Sequence, residues 1–228
     1  VNHPPVITID GPSGVGKGTM ATMLANTLGW HFLDSGALYR LLALKVTLVG
    51  GGGARPLESA MLVHNAINLN IYFQNHRSYL DDQDVTEAIR QEKVGLLASQ
   101  ISAIPEVRQA LLERQRAFAQ APGLVTDGRD MGSVVFPNAD LKFYLDASPK
   151  IRAQRREQQL KASGISVKFG DLLEDMQKRD RQDKSRLVAP LVVPQEAIEI
   201  DTGLLSKEQV FEKILSEVKS RLRSNGGV

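Results

Sequence analysis

The 228-residue sequence contains no cysteine, which excludes disulfides, zinc-thiolate sites and thiol catalysis and suits a reducing compartment. No apolar run is long enough to cross a bilayer. Neither sign of charge dominates. With 28 Lys and Arg against 26 Asp and Glu, no general positive excess marks a nucleic-acid binder, so any cationic chemistry must be local. The first apolar segment starts at Val6, leaving no room before it for a signal peptide, and the expected location is the cytoplasm. His3, His31, His64 and His76 have neither ligand spacing nor an acid-base partner and read as structural or solvated. No Asn precedes a Lys and no D-x-x-G occurs, so the guanine-reading and switch motifs of a GTPase are missing. G-x-G-x-x-G is missing too, which argues against a dinucleotide site.

What is present gathers in residues 6–28, VITIDGPSGVGKGTMATMLANTL. Val6, Ile7 and Ile9 predict a buried strand, and Ala21, Leu24, Ala25 and Leu28 mark one face of a helix that stops at Gly29. Between them lies G-x-x-x-x-G-K, a glycine loop at a helix N-terminus, where main-chain N–H groups can converge on phosphate. The predicted cradle comprises Gly11, Ser13, Gly14, Val15, Gly16, Lys17, Gly18 and Thr19, with Lys17 supplying the full charge. Gly18 stands where many such loops carry the Mg²⁺-binding hydroxyl, and Thr19 follows it. The GKGT form is that of nucleoside monophosphate kinases.

Further along, short apolar segments ending at Asp34, Asp127 and Asp146, and another at Ala197–Ile200, predict four more strands separated by helices. The fold class is therefore α/β, a five-stranded mainly parallel sheet with helices on both faces. Ligands in such sheets sit at the carboxyl ends of the strands, where Asp10, Asp34, Asp127 and Asp146 fall. Gly50–Gly53 read as a hinge or surface loop. Ile67, Leu69, Ile71 and Phe73 alternate with polar residues, and Ser78–Asp82 follow a turn, so residues 67–86 predict a small antiparallel insert. Helices carry Leu38, Leu41, Leu42 and Val49, then Val94 to Ile101, and, after Pro105, Val107 to Phe118. Ser206 and Gln209 fit a capping box for the last helix.

Three polar constellations stand out. Asp127-Gly128-Arg129-Asp130-Met131-Gly132 follows a strand, so Arg129 could grip a phosphate while Asp127 positions Mg²⁺ or its water shell. Residues 149–164 are polar nearly all round, with Arg152, Arg155 and Arg156 on one face. That face is either a solvated one or a lid, its three arginines held off the core to close over phosphates. In residues 171–186, Leu172, Met176, Arg179, Asp183 and Arg186 share a stripe that begins apolar and ends charged.

These segments together resemble the bacterial cytidylate kinases nearly end to end. The resemblance is carried by GPSGVGKGT at 11–19, LDSGALYR at 33–40, ASQ at 98–100, VRQALLERQRAF at 107–118, DGRDMGSVVFP at 127–137 and RDRQDKSRLVAP at 179–190. It implies one P-loop kinase domain over 1–228, with a monophosphate-binding region at 35–105 that includes the insert, and a lid at 149–170. It implies phosphoryl transfer from ATP to CMP or dCMP with Mg²⁺, by a monomer with neither nucleic-acid polymer nor membrane as partner. Carried over, acceptor-phosphate contacts fall on Arg40, Arg129 and Arg186, cytosine contacts on Ser99, Arg108 and Asp130, and sugar contacts on Arg179 and Asp183. Ser35 joins the acceptor pocket, Thr19 and Asp127 are the metal candidates, and Arg152, Arg155 and Arg156 are the lid candidates. Two other readings stay open at this point, a related kinase for another monophosphate or a hydroxyl metabolite, and a nucleotide-sensing module without turnover.

Overall fold

A computed structural model describes residues 3–49, 58–74, 77–162 and 164–224. The glycines at 50–53, His76 and part of the expected turn before Arg77 lie outside those residues. The chain divides into two compact units, Val1–Leu33 with Phe118–Val228, and Asp34–Ala117.

The first unit is built on β1 (Val6–Asp10), whose five residues are all buried because strands lie on both sides of it and helices cover its faces. With β2 (His31–Asp34), β6 (Leu124–Gly128), β7 (Leu141–Asp146) and β8 (Ile198–Asp201) it forms a sheet in the order β2-β6-β1-β7-β8. Its pairings with β6 and β7, and that of β7 with β8, are parallel. Asp10 stands opposite Gly128 on one side and Tyr144 on the other, so the loops after β1 and β6 leave the same edge of the sheet side by side.

Helix α1 (Lys17–Leu28) buries Met20, Ala21, Leu24 and Ala25 and ends at Gly29, whose φ of 67° permits the left-handed cap. The expected capping box closes α8 (Lys207–Ser224). Gln209 N–H donates to Ser206 Oγ at 3.2 Å, and Ser206 N–H donates to Gln209 Oε1 at 2.9 Å. Ile7, Ile9, Leu24, Phe143 and Ile214 lie in the core of this unit, and Trp30 packs at its margin. A Cβ on Gly123 would come within 2.5 Å of the Trp30 ring, so the indole lies directly on main chain there.

The second unit holds α2 (Ser35–Val49), α3 (Ser59–Ile67), the antiparallel strands β3 (Ile71–Gln74), β4 (Arg77–Leu80) and β5 (Gln83–Asp84), α4 (Glu92–Ile101) and α5 (Pro105–Arg116). Its core joins Leu41, Leu42, Leu62, Leu80, Ile101 and Leu111, so α5 packs with this unit beyond residue 105. The alternating pattern read from Ile67 onward misplaces one boundary. Ile67 is the last residue of α3 and largely exposed, and the strand begins at Ile71, because a helix end and a strand start present similar spacing over four residues. Val49 is likewise exposed at the end of α2, and α5 ends at Arg116, short of Phe118.

Candidate active site

The glycine loop leaves β1 under steric constraints that only glycine meets. A Cβ on Gly11 would stand 2.2 Å from Leu145 O, inside any contact distance. Gly14, at φ 77°, would put its Cβ 2.7 Å from Met176 Cε, a methyl group of α7 (Phe169–Ser185). Lys17 Nζ donates to Pro12 O at 3.3 Å, which folds the ammonium back over its own loop. A Cβ on Gly18 would lie 3.8 Å and 4.0 Å from the two carboxylate oxygens of Asp127, so this carboxylate faces the start of α1. Thr19 is exposed beside it. One carboxylate and one hydroxyl are hard oxygen donors, which fits a Mg²⁺ ion that keeps most of its ligands as water and phosphate. Among the described residues no cluster of three or more His, Cys, Asp or Glu could hold a metal without that help.

Beyond β6 the chain makes one wide turn at Met131–Val135, closed by Phe136 N–H to Met131 O at 2.6 Å. Asp10 anchors it, accepting Met131 N–H at 2.9 Å and Gly132 N–H at 2.7 Å. Burial pushes the Asp10 carboxyl up to about 6 despite those two hydrogen bonds, and nearby Asp130 adds to the rise. Of the other strand-end carboxylates, Asp34 accepts Ala37 N–H at 3.0 Å and Asp146 accepts Ala147 N–H at 2.8 Å. Asp34 and Asp146 thus cap backbone, while Asp127 is turned toward Gly18.

Arg129 and Arg186 meet on one carboxylate. Arg129 Nε donates to Asp183 Oδ2 at 2.8 Å, and Arg186 Nη2 pairs with Asp183 Oδ1. Asp183 is buried on α7 and fixes both guanidiniums, and Arg129 Nη1 also reaches Gly128 O at 3.3 Å. Three residues expected in one site from separate stretches of sequence are therefore contiguous. Asp130 is buried next to Arg129, and Arg179 is half-buried one turn before Asp183.

The arginines of α6 (Pro149–Ala162) do not all behave as expected. Arg152 is 2% exposed, so it is not held off the core. Its Nε donates to Ala147 O and its Nη1 to Ser13 O, each at 2.9 Å, and both terminal nitrogens engage Asp180. A charged group tolerates such burial when it is paired and its N–H groups are satisfied, and hydropathy pattern cannot reveal that. Arg155 donates to Thr202 Oγ1 at 3.0 Å and also bonds Thr202 O. Arg156 is half-buried and makes no hydrogen bond or ion pair among the described residues. Asp180 and Thr202 were missed by the sequence reading, which placed Asp10 at a strand end without its partners. Asp180 alone left a trace, lying one helical turn before Asp183.

In the second unit, Ser35 Oγ donates to Gln115 Oε1 at 2.9 Å inside the core. Arg40 Nη1 donates to Ile89 O at 2.8 Å, and the guanidinium lies over Gly95, where a Cβ would come within 2.8 Å of it. Arg108 donates to Ser102 O at 3.0 Å with its guanidinium 5.7 Å from the centre of the Tyr39 ring. Ser99 is half-buried on α4, and its carbonyl accepts Ser102 Oγ at 2.9 Å.

The family model described as cytidylate kinase matches residues 7–220. The cytidylate kinase of Stutzerimonas stutzeri strain A1501 is 54% identical over 223 residues, covering 95% of this chain and 96% of that protein. That of Marinomonas sp. strain MWYL1 is 51% identical over 222 residues, covering 95% and 96%. That of Azotobacter vinelandii strain DJ is 50% identical over 224 residues, covering 96% and 97%.

Proposed function

The chain belongs to the cytidylate kinase family, and from that membership we propose that it transfers the γ-phosphoryl group of ATP to CMP, giving ADP and CDP, with dCMP as a second acceptor. The observation that carries the site assignment is the shared hold of Asp183 on Arg129 and Arg186, in the unit that also contains the glycine loop. A pair of fixed guanidiniums beside the glycine loop's own cation has no use in a protein that binds one nucleotide and stops there. In a kinase it receives the acceptor's phosphate.

The acceptor phosphate is already a nucleophile, so no strong base is needed. Phosphoryl transfer through a loose transition state asks for alignment and for cations around the moving group. The N–H groups of residues 13–18 and the Lys17 ammonium hold the donor's phosphates. Arg40, Arg129 and Arg186 neutralise and aim the acceptor, and Arg156, the lid arginine with no hydrogen bond or ion pair among the described residues, closes on the donor. Thr19 and Asp127 would hold Mg²⁺, directly or through water, and the bound ion would neutralise charge on the donor's phosphates. Asp130 accepts the exocyclic amine of cytosine. Uracil offers an acceptor there, and two acceptors face to face leave a buried charge unpaired.

A panel of CMP, dCMP, UMP, AMP and hydroxyl metabolites in an ADP-release assay tests this reading. CMP and dCMP should head the panel. ADP release driven by another acceptor, or by none, rejects it.

A further inference from the structure

We infer that Arg152 and Asp180 form a positioning pair that holds the phosphate loop in its anion-binding conformation from behind, with Arg155 and Thr202 as a second, weaker brace. This deepens the proposed function, since it rests on the loop being the donor-phosphate site.

The geometry runs through peptide planarity. In a trans peptide the carbonyl of one residue and the N–H of the next point in opposite directions. Arg152 Nη1 holds Ser13 O at 2.9 Å, so the Gly14 N–H points away from Arg152. Thr202 Oγ1 lies 3.4 Å from Val15 O, which aims the Gly16 N–H away from Thr202 in the same manner. Two alternate carbonyls pulled back toward the protein leave two alternate N–H groups to converge on an anion. Arg155, donating to Thr202 Oγ1 at 3.0 Å, occupies that hydroxyl's lone-pair side. The hydroxyl's proton is thereby left for the carbonyls of Val15 and of Asp146, the latter at 3.2 Å.

Arg152 is built for this task and not for a ligand. At 2% exposure it is among the largest fully buried side chains, and its donors reach three separate segments. Ala147 O fixes the arm, Ser13 O is the load, and Asp180 on α7 supplies the counter-charge with a second bond at 3.2 Å. The close fit of Gly14 against Met176 Cε and Arg152 Cβ, 2.7 Å and 3.5 Å from an added Cβ, shows that α6 and α7 back the same peptide. One turn along α7 from Asp180, Asp183 holds Arg129 and Arg186. A single helix thus braces the donor loop and two of the three acceptor arginines.

The test compares Arg152→Met, Asp180→Asn, the Arg152→Met/Asp180→Leu double variant and Thr202→Val. Each is measured by calorimetry for affinity toward ATP and toward inorganic tripolyphosphate, and by KM for ATP and for CMP. Wild-type CMP-dependent ADP release serves as the control for the underlying function. A misplaced loop should lower affinity for both polyphosphates together, by about a hundredfold in Arg152→Met and by a similar factor in Asp180→Asn, with KM for CMP nearly unchanged. The double variant should be no worse than Arg152→Met alone. Should Arg152→Met fail to fold, Thr202→Val and Asp180→Asn carry the test, and Thr202→Val should raise KM for ATP about tenfold or less. Wild-type affinity in Asp180→Asn beside a large loss in Arg152→Met overturns the proposal, because Arg152 then touches the nucleotide itself. So does loss of ATP binding with tripolyphosphate binding retained, or an equal rise of both KM values.

Discussion

The arginines of the two units are held by different chemistry. In the first unit, Arg129 and Arg186 rest on the Asp183 carboxylate and Arg152 on Asp180. In the second, Arg40 and Arg108 are steadied by main-chain carbonyls, those of Ile89 and Ser102, and Arg108 also by the Tyr39 ring. A carboxylate orients a guanidinium and cancels its charge. A carbonyl orients it through the main chain. The first arrangement stores cations that an incoming phosphate must share with a resident anion, and suits groups whose full strength is needed only when charge moves. The second orients each guanidinium from the main chain, and suits groups that dock and place the acceptor before charge moves.

The sharpest way to break this comparison is to remove one arginine from each side. Arg129→Ala should lower kcat by on the order of a thousandfold in a protein that still folds, since Asp183 keeps Arg186 as partner. Arg40→Ala should act chiefly on KM for CMP. Equal kcat losses in both, or near-normal turnover in Arg129→Ala, would erase the distinction. A smaller effect is expected at Asp130, where Asp130→Ala should reduce the preference for CMP over UMP by about a hundredfold in relative kcat/KM. An unchanged ratio would remove Asp130 from base reading.

The last expectation is a slope, not a loss. Burial raises Asp10 to about 6, above its usual value, so the native state takes up this proton before the unfolded chain does as pH falls. The group's contribution is most favourable below about pH 4 and declines as pH rises toward 6, by at most about 1.4 kcal/mol per pH unit for one proton. Urea denaturation across that interval should show a steeper decline for the wild type than for Asp10→Asn. Parallel lines would mean that Asp10 does not titrate there.

Much of the architecture could be read along the chain because it is written in local pattern. The glycine loop, the parallel strands with aspartate at or next to their carboxyl ends and the Ser206 capping box each follow from neighbouring residues. The helix at 171–186 likewise carries Met176 and Asp183 inward on one stripe, as its spacing indicates. What could not be read is the through-space pairing of polar groups. Arg152 counts as polar in any periodicity, yet Ser13 O, Ala147 O and Asp180 meet its needs and draw it inside. The same holds for Asp10, whose partners lie 121 and 122 positions away. At Ile67 the failure was of another kind, where four residues were too few to tell a helix end from a strand.

The contact between Trp30 and the main chain at Gly123 gives the molecule a built-in optical reporter. Trp30 is the chain's sole tryptophan and belongs to the first unit, so indole emission follows melting of that unit and is silent about the other. Tyr72 and Tyr79, stacked with ring centres 4.6 Å apart in the second, offer a separate absorbance signal. Heating the protein while recording both distinguishes a concerted collapse from two successive ones without any label being attached.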